Sequence, residues 1–146
     1  MGNNNGTPDV GTAVIIERND GKILVGKRIG SFAPYYSIPG GKMEIGETFE
    51  QSAIREIKEE TDLDIHHPKV ISLTNNLETY RSEGIHHVSI YLLVKDFSGR
   101  LKIMEPEKCA EWLWVDPRKL PDPHFEASRI GVAHYLCNVF YQPNND

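Results

Sequence analysis

The sequence predicts an α/β fold built as one domain, and three observations carry that expectation. Stretches rich in β-branched and aromatic residues are in the majority. Between them lies one helical pattern, inside residues 39–63, and a second closes the chain. The chain has 146 residues, 39% hydrophobic and 25% charged, which suits one globular domain with a real core. We place the domain at residues 9–142 and expect the polar residues 1–8 to be a disordered tail.

Composition also narrows function. The net charge is −5 and no basic stripe is present, which argues against a nucleic-acid polymer as partner. No segment approaches the roughly 18 apolar residues of a membrane span, and the N-terminus lacks the apolar run of a signal peptide. The two cysteines, Cys109 and Cys137, suggest reduced thiols in a cytoplasmic protein, each packed as a small apolar residue.

Taken in order, Val10–Glu17 and Lys22–Lys27 read as strands joined at Asn19-Asp20-Gly21 into a hairpin. Lys27 and Arg28 end it, as a solvated pair or as a phosphate contact. Ser31–Tyr36 is an aromatic loop, and Tyr36–Ile38 a short strand. Pro39-Gly40-Gly41 and Gly46-Glu47 read as turns. Thr48 is a helix N-cap, with Gln51 completing a capping box, and the helix should run to about Glu60. Phe49, Ala53 and Ile57, with Ile54 beside them, form its apolar stripe. Leu63–Leu73 is a strand broken at Pro68, Leu77–Tyr80 another, and His87–Val94 a strong one. Trp112 and Trp114 alternate on a later strand. A last helix starts near Pro123 and Phe125, with Ile130, Ala133, His134 and Cys137 at helical spacing. The pairs His66-His67 and His86-His87 are poor metal ligands, because adjacent strand residues face opposite ways.

The polar face of the internal helix is unusual. Glu56, Glu59 and Glu60 stand at i, i+3 and i+4, on one side of the helix. Like charges at this spacing weaken a helix by about 0.2–0.5 kcal/mol per pair. A hard divalent cation would turn that repulsion into binding; the plain alternative is an acidic surface helix.

The wider pattern resembles the signature of the Nudix (MutT-like) hydrolases, G-x5-E-x7-R-E-U-x-E-E-x-G-U with U aliphatic. Here it reads Gly41, Glu47, Arg55-Glu56-Ile57-Lys58-Glu59-Glu60 and Leu63. Asp62 departs from the glycine, at a helix end where Asp tolerates left-handed geometry. The resemblance implies an α/β/α sandwich around a mixed sheet and Mg²⁺-dependent hydrolysis of a nucleoside diphosphate linked to another group, with Mn²⁺ a substitute. It implies Glu56 and Glu60 as main metal ligands, Glu59 as a third, and the Gly40 carbonyl as another. Arg55 would hold Glu47 and orient the carboxylates. The general base would be a glutamate of the signature, Glu56 or Glu59, or a carboxylate of a later loop, Glu105 or Glu107. Arg28, Gly41 and Lys42 fall on the substrate side, and His124 near a place where MutT-like enzymes carry a base-reading amide; the plain alternative is that His124 only begins the last helix.

Thr74-Asn75-Asn76, Met104–Cys109, Trp112 and Trp114 look like the nucleoside triphosphate pyrophosphohydrolases of this family. Those act on ordinary or oxidised nucleotides or dihydroneopterin triphosphate; some relatives take prenyl diphosphates. Hydrolysis of a small nucleotide to monophosphate and pyrophosphate is therefore expected. ADP-ribose or a nucleotide sugar is a rival substrate, and a non-catalytic nucleotide-binding module a second rival. That module would be expected to have lost a signature glutamate, and none is missing. A homodimer is an expectation from the family alone.

Overall fold

The computed structural model describes residues 6–143, so the expectation for residues 1–8 lies largely outside it. Its centre is a mixed four-stranded sheet in the order β4-β1-β7-β6. Strand β1 (Asp9–Ile16) runs parallel to β7 (His87–Val94) and antiparallel to β4 (Gly40–Lys42), and β6 (Lys69–Thr74) is antiparallel to β7. A second sheet places β2 (Ile23–Arg28) between β3 (Tyr36–Ser37) and β9 (Cys109–Val115). Strands β5 (Asp64–His66) and β8 (Asp96–Ser98) form a short ribbon.

Two helices cover opposite faces. Successive strand residues point to opposite sides, and β1 uses both. Val14 and Ile16 pack with Leu24, Leu92 and with Ala53 and Ile57 of α1 (Phe49–Thr61). Ile15 packs with Ile23, Val25, Tyr91 and with Val132 of α3 (Glu126–Cys137). All of these except Val132, at 1%, are fully buried, and each large aliphatic among them contributes about 1.5–3 kcal/mol. The result is the α/β/α sandwich expected.

Several local expectations change. The turn near residue 20 forms, with Arg18 N–H donating to the Lys22 carbonyl and a single bridge between Glu17 and Ile23. Beyond that bridge β1 and β2 part into different sheets, because β1 already has β4 and β7 on its two edges. Leu77–Tyr80 is no strand: α2 spans Leu77–Glu83, entered through a left-handed Asn76 (φ 56°), with Glu78 and Arg81 paired one turn apart. Four residues of β-prone composition were too few to separate the two periods. Gly40 and Gly41 make strand β4 and not a turn.

In α1 the capping box is complete, and the helix ends one residue later than expected. Phe49 and Ile54, placed on the apolar stripe by spacing, are exposed, whereas Ser52 and Thr61 are buried. Ser52 Oγ meets Thr12 Oγ1 of β1 at 2.9 Å, so a hydroxyl pair docks this helix on the sheet. In α3 the buried stripe is Ala127, Ile130, Gly131 and His134, while Ala133 and Cys137 face outward. Cys137 is therefore exposed, and Cys109 half-buried.

Candidate active site

The acidic face of α1 is anchored by one arginine. Arg55 Nε and Nη2 donate to the two carboxylate oxygens of Glu47 at 2.6 and 2.9 Å. Its Nη1 donates to Glu56 at 2.7 Å and to Glu59 at 3.3 Å, and Nη2 also reaches the Lys42 carbonyl at 3.1 Å. The arginine thus ties the helix to the loop before it and to β4. Hydrogen bonds from Arg55 hold the Glu47 carboxyl down at about 2. Glu59 is half exposed at the outer end of this network.

Glu60 lies deeper. Its Oε1 accepts from Gly40 N–H at 3.2 Å. Burial, and then the charge of Glu56, push its carboxyl up to about 8. Burial raises Glu56 as well, against the pull of Arg55. Among the described residues no three of Asp, Glu, His or Cys already converge as a metal-binding group. The donors present are hard oxygens, two of them buried and hard to ionise side by side. They suit a divalent cation that takes a few carboxylates and completes its shell with water and phosphate oxygens.

The two glycines before the helix fit around this arrangement. A Cβ on Gly40 would lie 2.1 Å from the Thr12 carbonyl oxygen, and one on Gly41 2.0 Å from Glu56 Oε2. The first glycine admits β1, and the second leaves room for a carboxylate.

Two cavities meet beside them. The smaller, of about 40 Å³, is lined by Glu60, Glu105, Arg28, Cys109 and Trp112. The larger, of about 220 Å³, is lined by Thr12, Phe32, Asn76, Tyr91, Phe125 and Ser128, with Gly41 and Lys42 at its edge. Arg28, Ser37, Ile38 and Gly40 line both. Arg28 Nε is buried there without a hydrogen-bond partner. Its neighbour Lys27 turns away, 5.9 Å over the Tyr36 ring, as strand alternation requires. Glu105 reaches the small cavity, whereas Glu107 is exposed and lines neither. Lys42 is mostly exposed and pairs with Asp9 at 3.1 Å. His124 directs both ring nitrogens at protein atoms, the Pro121 carbonyl at 3.3 Å and Ser128 Oγ at 2.7 Å, and lines an outer groove. Direct contact of that ring with a base in the larger cavity is thus replaced by contact through Ser128.

Sequence reasoning missed most of the larger cavity. Thr12, Tyr91 and Ser128 carry no motif, and they come together only because β1, β7 and the start of α3 are adjacent. The aromatic loop 31–36 and the pair Asn75-Asn76 were the available signals, and Phe32 and Asn76 do line it.

Comparison with known proteins agrees with this geometry. A curated ADP-ribose pyrophosphatase of Methanocaldococcus jannaschii is 35% identical over 130 residues, covering 88% of this chain and 73% of the relative. An RNA pyrophosphohydrolase of Acinetobacter baylyi is 32% identical, covering 74% and 72%. A crystal structure of a MutT NUDIX hydrolase from Burkholderia pseudomallei superposes with a TM-score of 0.80 at 30% identity, covering 87% of this chain and 97% of that one. Fold and site together define a hydrolase. The family model described as NUDIX domain matches residues 7–135, and the chain belongs to that family.

Proposed function

We propose that the chain is a Mg²⁺-dependent nucleoside triphosphate pyrophosphohydrolase that releases nucleoside monophosphate and pyrophosphate. The observation that supports this reading is the junction of the two cavities at Arg28 and Gly40. A base and sugar fit the larger, mostly apolar-walled space, and phosphates then cross Arg28 towards Glu60 and Glu105. The unpartnered Arg28 Nε is a donor suited to a phosphate oxygen. Glu56 and Glu60, with the Gly40 carbonyl and Glu59 at the rim, would hold Mg²⁺, or Mn²⁺ in its place. Bound there, the cation would neutralise phosphate oxygens and lower the pKa of water. Arg55, fixed by Glu47, sets the position of Glu56. Glu105 takes the proton as the water oxygen bonds to phosphorus and the bond to the departing pyrophosphate or nucleotide oxygen breaks. Gly41 and Lys42 border the phosphate path.

A second reading, hydrolysis of ADP-ribose or a nucleotide sugar, is favoured by the name of the M. jannaschii relative. A panel of nucleoside triphosphates and ADP-ribose in ¹⁸O-water with Mg²⁺ decides between them. The proposal expects monophosphate and pyrophosphate carrying one ¹⁸O between them. Release of orthophosphate overturns it. Faster turnover of ADP-ribose than of every triphosphate, to AMP and a sugar phosphate, selects the second reading.

A further inference from the structure

Ser128 sits at the start of α3, 3% exposed, on the wall of the larger cavity. Its hydroxyl has two protein neighbours. Ile38 N–H donates to Ser128 Oγ at 3.0 Å, and His124 Nε2 lies 2.7 Å from the same oxygen. The proton positions follow from the third contact. The Pro121 carbonyl, 3.3 Å from His124 Nδ1, can only accept, so Nδ1 carries the imidazole proton. Burial lowers the pKa of His124, which keeps the ring neutral. Nε2 is then an acceptor, and it takes the single proton of the Ser128 hydroxyl. One lone pair of Oγ receives Ile38 N–H, and the other is left for the cavity. A serine ordinarily offers a ligand either a donor or an acceptor. This one offers only an acceptor.

We propose that Ser128 reads an N–H on the base of the substrate, and that His124 is the positioning residue that commits it to accepting. This specificity rests on the nucleotide reading above, but its chemistry can be tested apart from turnover. GMP, AMP, CMP and UMP each carry a base N–H, whereas purine riboside 5′-monophosphate carries none. Calorimetric titration of wild type and Ser128→Ala with all five probes is the experiment. The variant should bind the tightest of the four N–H nucleotides about 3- to 10-fold more weakly. Its affinity for purine riboside 5′-monophosphate should stay unchanged, which also reports that the cavity is intact. Equal losses for both kinds of probe, or no loss for either, would overturn the assignment. Failure of every probe to bind wild type would overturn the nucleotide reading and this proposal with it. On the wild-type chain, long-range ¹H–¹⁵N correlation of the His124 ring should show the proton on Nδ1 at pH 7. A proton on Nε2 would make Ser128 free to donate and would overturn the proposal without touching the nucleotide reading.

Discussion

Gly40 and Gly41 are adjacent glycines with different duties, and substitution separates them. An alanine methyl at 40 meets backbone of β1, 2.1 Å from an oxygen that cannot swing aside. Gly40→Ala should cost about 3 kcal/mol in urea unfolding. At 41 the methyl meets the end of a flexible side chain, the Glu56 carboxylate. Gly41→Ala should keep stability within about 1 kcal/mol and lose about 100-fold in kcat/KM, because the carboxylate must move by an ångström or so. Equal stability of the two variants would refute the distinction. Glu60 gives a pH signature. Its carboxyl is raised from an ordinary 4.5 to about 8, so in chelator the folded chain keeps a proton that the unfolded chain releases. Below about 4.5 both states hold the proton. As pH rises from there to about 8, the unfolded state binds fewer protons than the folded, and this group makes stability fall; above 8 the loss levels off. Glu60→Gln should flatten that decline in a thermal-unfolding series from pH 5 to 8 and abolish most turnover, and Mg²⁺ should flatten it in wild type. A wild-type slope in the variant would place the raised carboxyl elsewhere.

Helix α1 was legible because its signals are local: a capping box at Thr48 and Gln51, and a stripe through Ala53 and Ile57. Its end is legible too, in the residue that departs from the family pattern. Asp62 adopts φ 64°, its N–H donating to the Lys58 carbonyl at 3.0 Å, and its side chain lies within 3.3 Å of Lys58 and 3.2 Å of Lys102. Left-handed backbone costs a residue with a Cβ about 1–2 kcal/mol, partly recovered by Asp. Asp62→Ala loses both lysine contacts and keeps the strain, whereas Asp62→Gly loses the contacts and relieves it. Chemical denaturation should therefore rank glycine about 1 kcal/mol above alanine at this position. Elements whose neighbours are distant were less legible. Two strands flanking a tight turn predict a hairpin, yet the edges of β1 are claimed by residues 40–42 and 87–94, which no local pattern announces. The Pro39-Gly40-Gly41 stretch was misread for the same reason. Glycine there answers a close approach by β1 and Glu56, and sequence alone shows only that glycine is present. Arg28 and Glu105 could be nominated by resemblance, but the cavity joining them is a product of the second sheet.

The whole molecule is two core layers on either side of β1 and β7, and the far layer governs the nucleotide side. Gly131 lets α3 lie against Tyr91: a Cβ there would stand 2.2 Å from the Tyr91 ring, and the Tyr91 hydroxyl donates to the Ala127 carbonyl at 2.5 Å. Gly131→Ala should push the helix outward, destabilise by about 2–3 kcal/mol and raise KM more than it lowers kcat, because Ala127 and Ser128 line the cavity while the carboxylates sit on the opposite helix. Loss of kcat alone would show that the two layers are not separable in this way. The parallel pairing of β1 with β7 matters for assembly as well as architecture. Residue 9 meets residue 87, so the first strand to leave the ribosome waits for more than half the chain before its long edge is filled. Closing so large a loop delays folding far more than it weakens the final state. Glutamates 56 and 60 are synthesised before that closure, on a helix whose docking surface does not yet exist. A nascent chain stopped before His87 thus carries the whole signature in its sequence and no competent site, and enzymatic competence arrives only when the latecomer strand slots in.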